Sequence, residues 1–252
     1  MASRFCLLII PLLISSAFAQ QQPQYTQYTL NSFLINPAVA GIENYTDLRF
    51  GNRMQWTGLT GAPQTKYVSM HTALGKNYLG DNANSFSGTG ENPMSRSFVQ
   101  SYQAAAPHHG VGVIALVDKT GPLKNTEVKL NYAYHLGISS QLNLSVAVAA
   151  GINQVSLDAA TITFENPGDP FFSSTNFQKV VPTLSVGTWV YGSRFYGGIA
   201  IHQLLANRTL FLNNAVAHSE KLNPQFLVNA GYKVSLTEDI AAFPSVLVNY
   251  MG

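Results

Sequence analysis

Cysteine is almost absent from this chain of 252 residues. The single cysteine, Cys6, lies in an N-terminal segment that we expect to be removed after export, so the mature chain has no thiol. A chain without cysteine forms no disulfide bond, no cysteine-ligated metal site and no thiol nucleophile. The sequence therefore excludes these three kinds of chemistry from the mature protein.

Charged residues are also scarce. Asp, Glu, Lys and Arg make up 10% of the chain, against about 25% in ordinary soluble domains. The formal net charge is only +2, and the sequence contains no basic stripe or acidic tail, so we expect no nucleic-acid partner. Small polar residues replace the charges while the apolar fraction stays ordinary at 46%. This balance suits a protein wall that is polar on one side and apolar on the other.

Long apolar runs are missing as well. The longest, residues 5–14, follows Arg4 and precedes Ala17-Phe18-Ala19, the pattern of a cleaved secretory signal with Gln20 as the mature N-terminus. A buried N-terminal helix is the alternative, since this run is shorter than the ~20 residues that span a bilayer as a helix. No later run reaches about 18 residues, which excludes a helical membrane protein. A transmembrane β-barrel remains, because its strands are short and need an apolar side chain only at every second position.

Alternation between apolar and polar residues is the clearest pattern present. It runs through residues 126–136 and 142–152, where Val128, Leu130 and Tyr132 alternate with Lys129 and Asn131. Such alternation places the two classes on opposite faces of a strand, so we predict an antiparallel hairpin with a turn at residues 137–141. Similar patterns predict further strands at residues 46–56, 65–73, 110–119, 180–191, 194–204, 225–235 and 240–250. The fold class predicted is all-β, a transmembrane antiparallel barrel of about nine strands over residues 46–252.

Aromatic residues near several strand ends fit the girdle that such barrels carry at the membrane interface. A sandwich core is the alternative position for these side chains. The predicted connections at residues 74–109, 155–179 and 205–224 are long, and the others are short. We expect long and short connections to alternate, with the three long loops together at one end of the barrel.

Histidines and acidic residues give no clear metal or catalytic pattern. His108 and His109 are adjacent, so in a strand they would point to opposite faces, and we expect no metal ligand there. Ser69 and His71 would share a face, but they lie too far apart along a strand for a ready hydrogen bond, and no third group that could orient them is apparent. We expect no cofactor and no catalytic residue.

The N-terminal part contains the motifs Asn36-Pro37-Ala38-Val39-Ala40-Gly41, Arg53-Met54-Gln55-Trp56 and Gly61-Ala62-Pro63. In this order they resemble the PorP/SprF family of outer-membrane proteins from the type IX secretion and gliding machinery. The lead-in at residues 20–45 contains Gln24-Tyr25-Thr26-Gln27-Tyr28 and a turn that ends at Gly41, in which Val39 stands where the family has an aromatic residue. Later segments such as Tyr132-Ala133-Tyr134-His135-Leu136 and Pro244-Ser245-Val246-Leu247-Val248 also follow the family's order, so the resemblance covers about residues 24–250. The residues that carry the early motifs are Asn36, Pro37, Ala38, Gly41, Arg53, Gln55, Trp56, Gly61 and Pro63.

The resemblance implies a non-enzymatic barrel, exported to the outer membrane, that helps to deliver or retain secreted adhesins at the cell surface. It implies outer-membrane lipid, adhesin C-terminal domains and other type IX components as partners. We expect the nine motif residues to be structural or to contact a partner, and the three long loops to form the partner surface. The family normally has further strands beyond the last motif, and nine is an odd number for a bacterial barrel, so we expect a truncated chain that forms an incomplete barrel.

Two other functions fit the same pattern of strands. A passive porin would need a continuous polar lining and an open water path. A soluble secreted β-sandwich adhesin would bury its apolar faces between two sheets. An outer-membrane enzyme is a further class, for which the sequence offers no catalytic set.

Overall fold

The structure, a computed structural model, describes residues 30–43, 45–75, 104–158, 176–205, 224–236 and 240–251. The expected signal segment, most of the lead-in and the central parts of the three long loops lie outside these residues. Two short 3-10 helices, Ser32–Leu34 and Pro37–Val39, precede the strands. No described helix has the length and apolar character needed to cross a membrane.

The strands follow one another along the chain with few interruptions. They are β1 (Asp47–Met54), β2 (Gln64–Leu74), β3 (His108–Thr120), β4 (Leu123–Ser139), β5 (Leu142–Asp158), β6 (Asn176–Gly192), β7 (Phe195–His202), β8 (Gln225–Tyr232), β9 (Val234–Ser235), β10 (Ala241–Ala242) and β11 (Ser245–Met251).

Nine of these strands form one antiparallel sheet, in the order β1 to β8 and then β11. The number of long strands agrees with the alternation pattern, and the all-β class is confirmed. Within the described part of the chain, β1 and β11 have no partner strand on their outer edges, so the sheet is not closed.

Most strands differ from the prediction by a few residues at their ends, and the predicted strand 240–250 is divided into β10 and β11. Two further differences change the topology or the loops. The segment predicted as one strand over residues 225–235 is interrupted at Lys233, after which β9 pairs with β10 in a separate two-stranded sheet. The predicted loop 155–179 is too long at both ends, because β5 continues to Asp158 and β6 begins at Asn176. The extra residues still pair with their neighbours, as Leu157 does with Leu123, although their side chains no longer alternate strictly. In β5 and β6, backbone pairing therefore extends beyond the residues whose side chains alternate.

The sheet has its polar face buried and its apolar face exposed. In β4, Lys129, Asn131 and His135 are at most 8% exposed, whereas Leu130 is 67% exposed. The same inversion occurs in β1, where Phe50 is 71% exposed and Asp47 is buried. A water-soluble sheet buries its apolar face instead, so this polarity contradicts the sandwich alternative and matches a wall with apolar surroundings.

The polar face curves around a piece of the chain that precedes the sheet. We call residues 31–43 the inner segment. Ile35 packs beside Ala200 of β7 and Leu227 of β8, while the backbone of Gly41 lies against Gly110 of β3. β3 and β8 are five positions apart in the sheet, which would separate them by roughly 24 Å at ~4.8 Å per strand if the sheet were flat. The sheet therefore wraps around the inner segment.

The expectation that the three long loops share one end is wrong. In an antiparallel meander, successive connections lie at alternate ends. The connection between β2 and β3, which contains residues 76–103, lies at the same end as the tight turn 140–141. The connections that contain residues 159–175 and 206–223 lie at the other end, with the turn at Gly121. The prediction overlooked this short β3–β4 turn, which shifts the alternation by one connection.

Candidate functional site

The inner segment is the most completely buried part of the described chain. Phe33, Ala38 and Ala40 are at most 1% exposed, and Val39 is 7% exposed. They form a cluster with apolar residues of the inner sheet face, among them Ala133, Ala147 and Trp189. The apolar core of the protein is thus the contact between this segment and the sheet.

Asn36 fixes the turn at the centre of the inner segment. Its side-chain oxygen accepts a hydrogen bond from the Ala38 N–H at 2.9 Å, which caps the short helix that begins at Pro37. Its side-chain amide donates to the carbonyl oxygens of Thr188 (3.0 Å) and Ile199 (3.3 Å). One side chain therefore both shapes the turn and ties it to β6 and β7.

Four histidines hold the backbone of the inner segment. His202 Nε2 donates to the Ile35 carbonyl oxygen at 2.9 Å, and His135 Nε2 donates to that of Ala40 at 2.8 Å. His108 Nε2 lies 3.1 Å from the Gly41 carbonyl oxygen, and His71 Nδ1 accepts from the Gly41 N–H at 3.3 Å. The histidines come from β2, β3, β4 and β7, so four strands hold a stretch of seven residues.

Further partners orient these histidine rings. The Nδ1 atom of His135 accepts from the Tyr191 hydroxyl at 3.0 Å, and that of His202 accepts from the Ser185 hydroxyl at 3.0 Å. The rings of His108 and His135 stack with centroids 4.5 Å apart and planes 3° from parallel. Because each ring is held on two sides, its hydrogen bond to the inner segment has a fixed direction.

The sequence revealed no third group that could orient His71 beside Ser69, but in the structure an acidic residue lies next to His71. Asp47 Oδ2 lies 3.5 Å from His71 Nε2, and Arg49 forms an ion pair with the same carboxylate at 2.5 Å. The other nitrogen of His71 faces the Gly41 N–H rather than Ser69, whose hydroxyl accepts from the Asn31 amide at 2.9 Å. The two residues therefore serve the inner segment separately and do not form a nucleophile–base pair.

Gly41 and Gly110 allow the closest approach between the segment and the sheet. Gly41 has a φ of 78°, a conformation that favours glycine. A side-chain carbon on Gly41 would lie 2.5 Å from the Gly110 Cα atom, and one on Gly110 would overlap the carbonyl group of Ala40. Both positions need glycine because backbone meets backbone there.

The remaining motif residues lie elsewhere. Arg53 is on the inner face of β1, and Gln55 closes the following loop by donating from its N–H to the Pro63 carbonyl oxygen at 3.0 Å. Trp56 is 70% exposed with a φ of 50°, and the Gly61 carbonyl accepts from the Gly121 N–H at 2.9 Å. This loop is at the end of the sheet where β1 finishes, whereas the inner segment joins β1 at its start. The structure therefore divides the nine motif residues between two sites.

Sequence reasoning missed the role of the histidines. His109 lies on the exposed face and His108 on the buried one, which agrees with the opposite directions expected of neighbours in a strand. The available signal was position: His71, His108, His135 and His202 all fall on the polar face of their strands. Within the described ranges, no three His, Cys, Asp or Glu side chains are arranged to hold a metal ion.

Glu43 is the last residue of the inner segment and lies near Asp47 and Arg49 of β1. Burial raises the pKa of its carboxyl group above the usual 4.5, and the nearby carboxylate of Asp47 raises it further, while Arg49 opposes both effects. The link between the segment and the sheet thus carries an acid whose charged form is disfavoured.

The chain matches, over residues 17–252, the family described as type IX secretion system membrane protein PorP/SprF. It belongs to the PorP/SprF family. The resemblance predicted from the early motifs is thereby confirmed, and membership makes this protein a membrane component of type IX secretion. No match was found among curated proteins or among solved structures.

Proposed function

We propose that this PorP/SprF protein is a non-enzymatic outer-membrane β-barrel component of type IX secretion that assists delivery or surface retention of secreted adhesins. The observation that carries the proposal is the inverted polarity of the sheet. Exposed Leu130, Ile199 and Val228 face outward, while buried Lys129 and Asn131 face inward. An outer surface of this kind is stable against lipid chains and unfavourable in water.

The inner segment argues against the passive channel as the main function. It occupies the polar face that a channel would leave to water, and it is held there by hydrogen bonds from four strands. A rigid scaffold that presents connecting loops to protein partners agrees better with this filled interior. Conductance of the purified protein in planar bilayers separates the two functions, since a porin gives stable open channels and a filled scaffold does not.

The positions of the long connections suggest two partner surfaces rather than one. Residues 159–175 and 206–223 belong to connections at one end of the sheet, and residues 76–103 belong to a connection at the other. We assign the adhesin and the remaining secretion machinery to opposite ends. Each partner would then contact loops on its own side of the membrane.

Gene deletion tests the proposed function. Cells that lack the gene should export adhesin but fail to display it, as measured by antibody labelling of intact cells. Complementation with chains that lack residues 76–103 or residues 206–223 should fail at different steps, and complementation with the full chain should restore display. Unchanged adhesin display in the deletion strain would contradict the proposal.

A further inference from the structure

A cavity of about 300 Å³ lies between the inner segment and the two sides of the curved sheet. The inner segment lines it with Phe33, Val39, Ile42 and Glu43, β1 with Asp47 and Arg49, and the β6–β7 hairpin with Trp189 and residues 191–196. Its volume is at the lower end of the ~300–1,000 Å³ range of small-ligand pockets. There is room for one or two side chains, but not for a long stretch of polypeptide.

The far wall of this cavity is a stack of aromatic rings. The rings of Trp189 and Tyr196 stack with centroids 4.9 Å apart and planes 7° from parallel, and Phe243 stacks on Tyr196 at 5.7 Å. Trp189 is 4% exposed, and its indole nitrogen has no hydrogen-bond partner among the described residues. Aromatic rings pack favourably beside other apolar or aromatic groups, so a ligand that brings such a group would be stabilised against this wall.

The rim of the cavity carries two cations. Arg194 and Lys233 both line it, and the Lys233 N–H donates to the Arg194 carbonyl oxygen at 2.6 Å, which holds the two residues side by side. Neither forms an ion pair with an acidic residue in the described ranges, whereas Arg49 on the opposite wall is paired with Asp47. The rim therefore favours a negatively charged group next to the aromatic wall.

We propose that this cavity binds a short polypeptide segment in which a carboxylate side chain adjoins an aromatic or large aliphatic one. The apolar side chain packs against Trp189 and Tyr196, and the carboxylate lies between Arg194 and Lys233. This inference extends the proposed function because it gives the chemistry of a partner. Its binding test is independent of adhesin display, so each can fail while the other succeeds.

Fluorescence titration of the detergent-solubilised full chain tests the site. The chain has two tryptophans, so Trp56→Phe leaves Trp189 as the only reporter. The probe is the blocked peptide Phe-Asp-Phe, and Phe-Lys-Phe is its matched control. We expect a saturable change in emission with the acidic peptide alone, and a loss of affinity of roughly tenfold in Arg194→Gln/Lys233→Gln. The control Lys66→Gln/Lys124→Gln removes two exposed cations near the other end of the sheet and should bind normally.

A second variant fills the cavity instead of changing its charge. Val39→Phe places a ring in the lining of the cavity and should abolish binding while the far-UV circular dichroism stays that of the parent. Equal binding of the basic peptide, unchanged binding in Val39→Phe, or no saturable change in a folded parent protein would overturn the proposal. A saturable change with inorganic phosphate alone would also overturn it, because the site would then recognise a small anion.

Discussion

The Nε2 atom of His135 lies 2.8 Å from the carbonyl oxygen of Ala40, a residue 95 positions earlier in the chain. His135 is fully buried, and its other ring nitrogen accepts from the Tyr191 hydroxyl. This contact joins the inner segment to the middle of the sheet. It shows how a polar sheet face can serve as the core of the molecule: its side chains hydrogen-bond to a backbone rather than to water.

Replacing His135 by Phe should destabilise the protein. The phenyl ring keeps the size of the imidazole but leaves the buried Ala40 carbonyl without its donor, which costs about 1–3 kcal/mol. Urea unfolding in detergent, followed by tryptophan fluorescence, measures the change. His109→Phe is the control, since His109 lies on the exposed face and should change the free energy of unfolding little. Equal effects of the two variants would show that the hydrogen bond to the inner segment is not the cause.

Gly110→Ala should displace the inner segment, because the added carbon overlaps the Ala40 carbonyl group. Val39→Cys in a Cys6→Ser background supplies a single thiol at a position that is 7% exposed in the native chain. The measurement is the rate at which a maleimide labels this thiol. Labelling should be much faster with Gly110→Ala than without it. Gly197→Ala is the matched strand variant, since its added carbon would meet only the Asn229 carbonyl oxygen at 3.8 Å. If both glycine variants label at the parental rate, the close approach does not hold the segment.

Two substitutions of Asn36 distinguish its capping of the short helix from its hydrogen bonds to β6 and β7. Asn36→Ala loses the cap, worth about 1 kcal/mol, together with the donors to Thr188 and Ile199. Asn36→Asp keeps the acceptor for the Ala38 N–H but loses both donors and places a negative charge beside two carbonyl oxygens. We therefore expect Asn36→Asp to unfold at a urea concentration no higher than that for Asn36→Ala. A stable Asp variant would mean that the cap alone matters.

Glu43 should make stability depend on pH. Its folded pKa is raised above 4.5, so the native state binds more protons than the unfolded state just above that value, and stability falls as pH rises through the raised pKa. Glu43→Gln removes this loss and should be more stable than the parent at neutral pH, with the difference disappearing below about pH 4.5. Unfolding midpoints of both proteins across this range measure the effect. A difference that grew on acidification would contradict the assignment.

The topology predicts which long connections share a side of the membrane. Protease sites inserted in residues 159–175 and 206–223 should both be cut, or both be protected, when protease is added to intact cells. A site in residues 76–103 should behave in the opposite way, because its connection lies at the other end of the sheet. Permeabilised cells, in which all three are cut, provide the control. Simultaneous cleavage of all three in intact cells would contradict the strand order.

Alternation in the sequence predicted the sheet well, because side chains of a strand point alternately to its two faces and the two faces have opposite surroundings here. It gave the number of long strands and the division of β8 between Phe226, Val228 and Tyr232 on one face and Leu227 and Asn229 on the other. It failed for β9 and β10 and for the extra residues of β5 and β6, where backbone pairing continues without a contrast between the faces.

The candidate site could be predicted only in part. The turn that contains Asn36 and Gly41 was visible as a rigid element, since a proline and a glycine restrict its conformation. Its contact with His202, 167 residues after Ile35, was not visible, because a single sequence does not reveal which distant residues meet. The loop positions failed for a simpler reason: one overlooked two-residue turn reverses the end at which every later connection lies.

The contacts of the inner segment also set an order of events. The segment is synthesised and exported before every strand that contacts it, yet Ile35 lies against Leu227 of β8. Its binding surface is therefore complete only after eight strands have been made and paired. Phe33 and Val39 find apolar partners in β3 to β6, but Ile35 packs against Ala200 and Leu227 of β7 and β8. One of the first parts of the chain to leave the ribosome therefore completes its packing only when nearly the whole sheet is present.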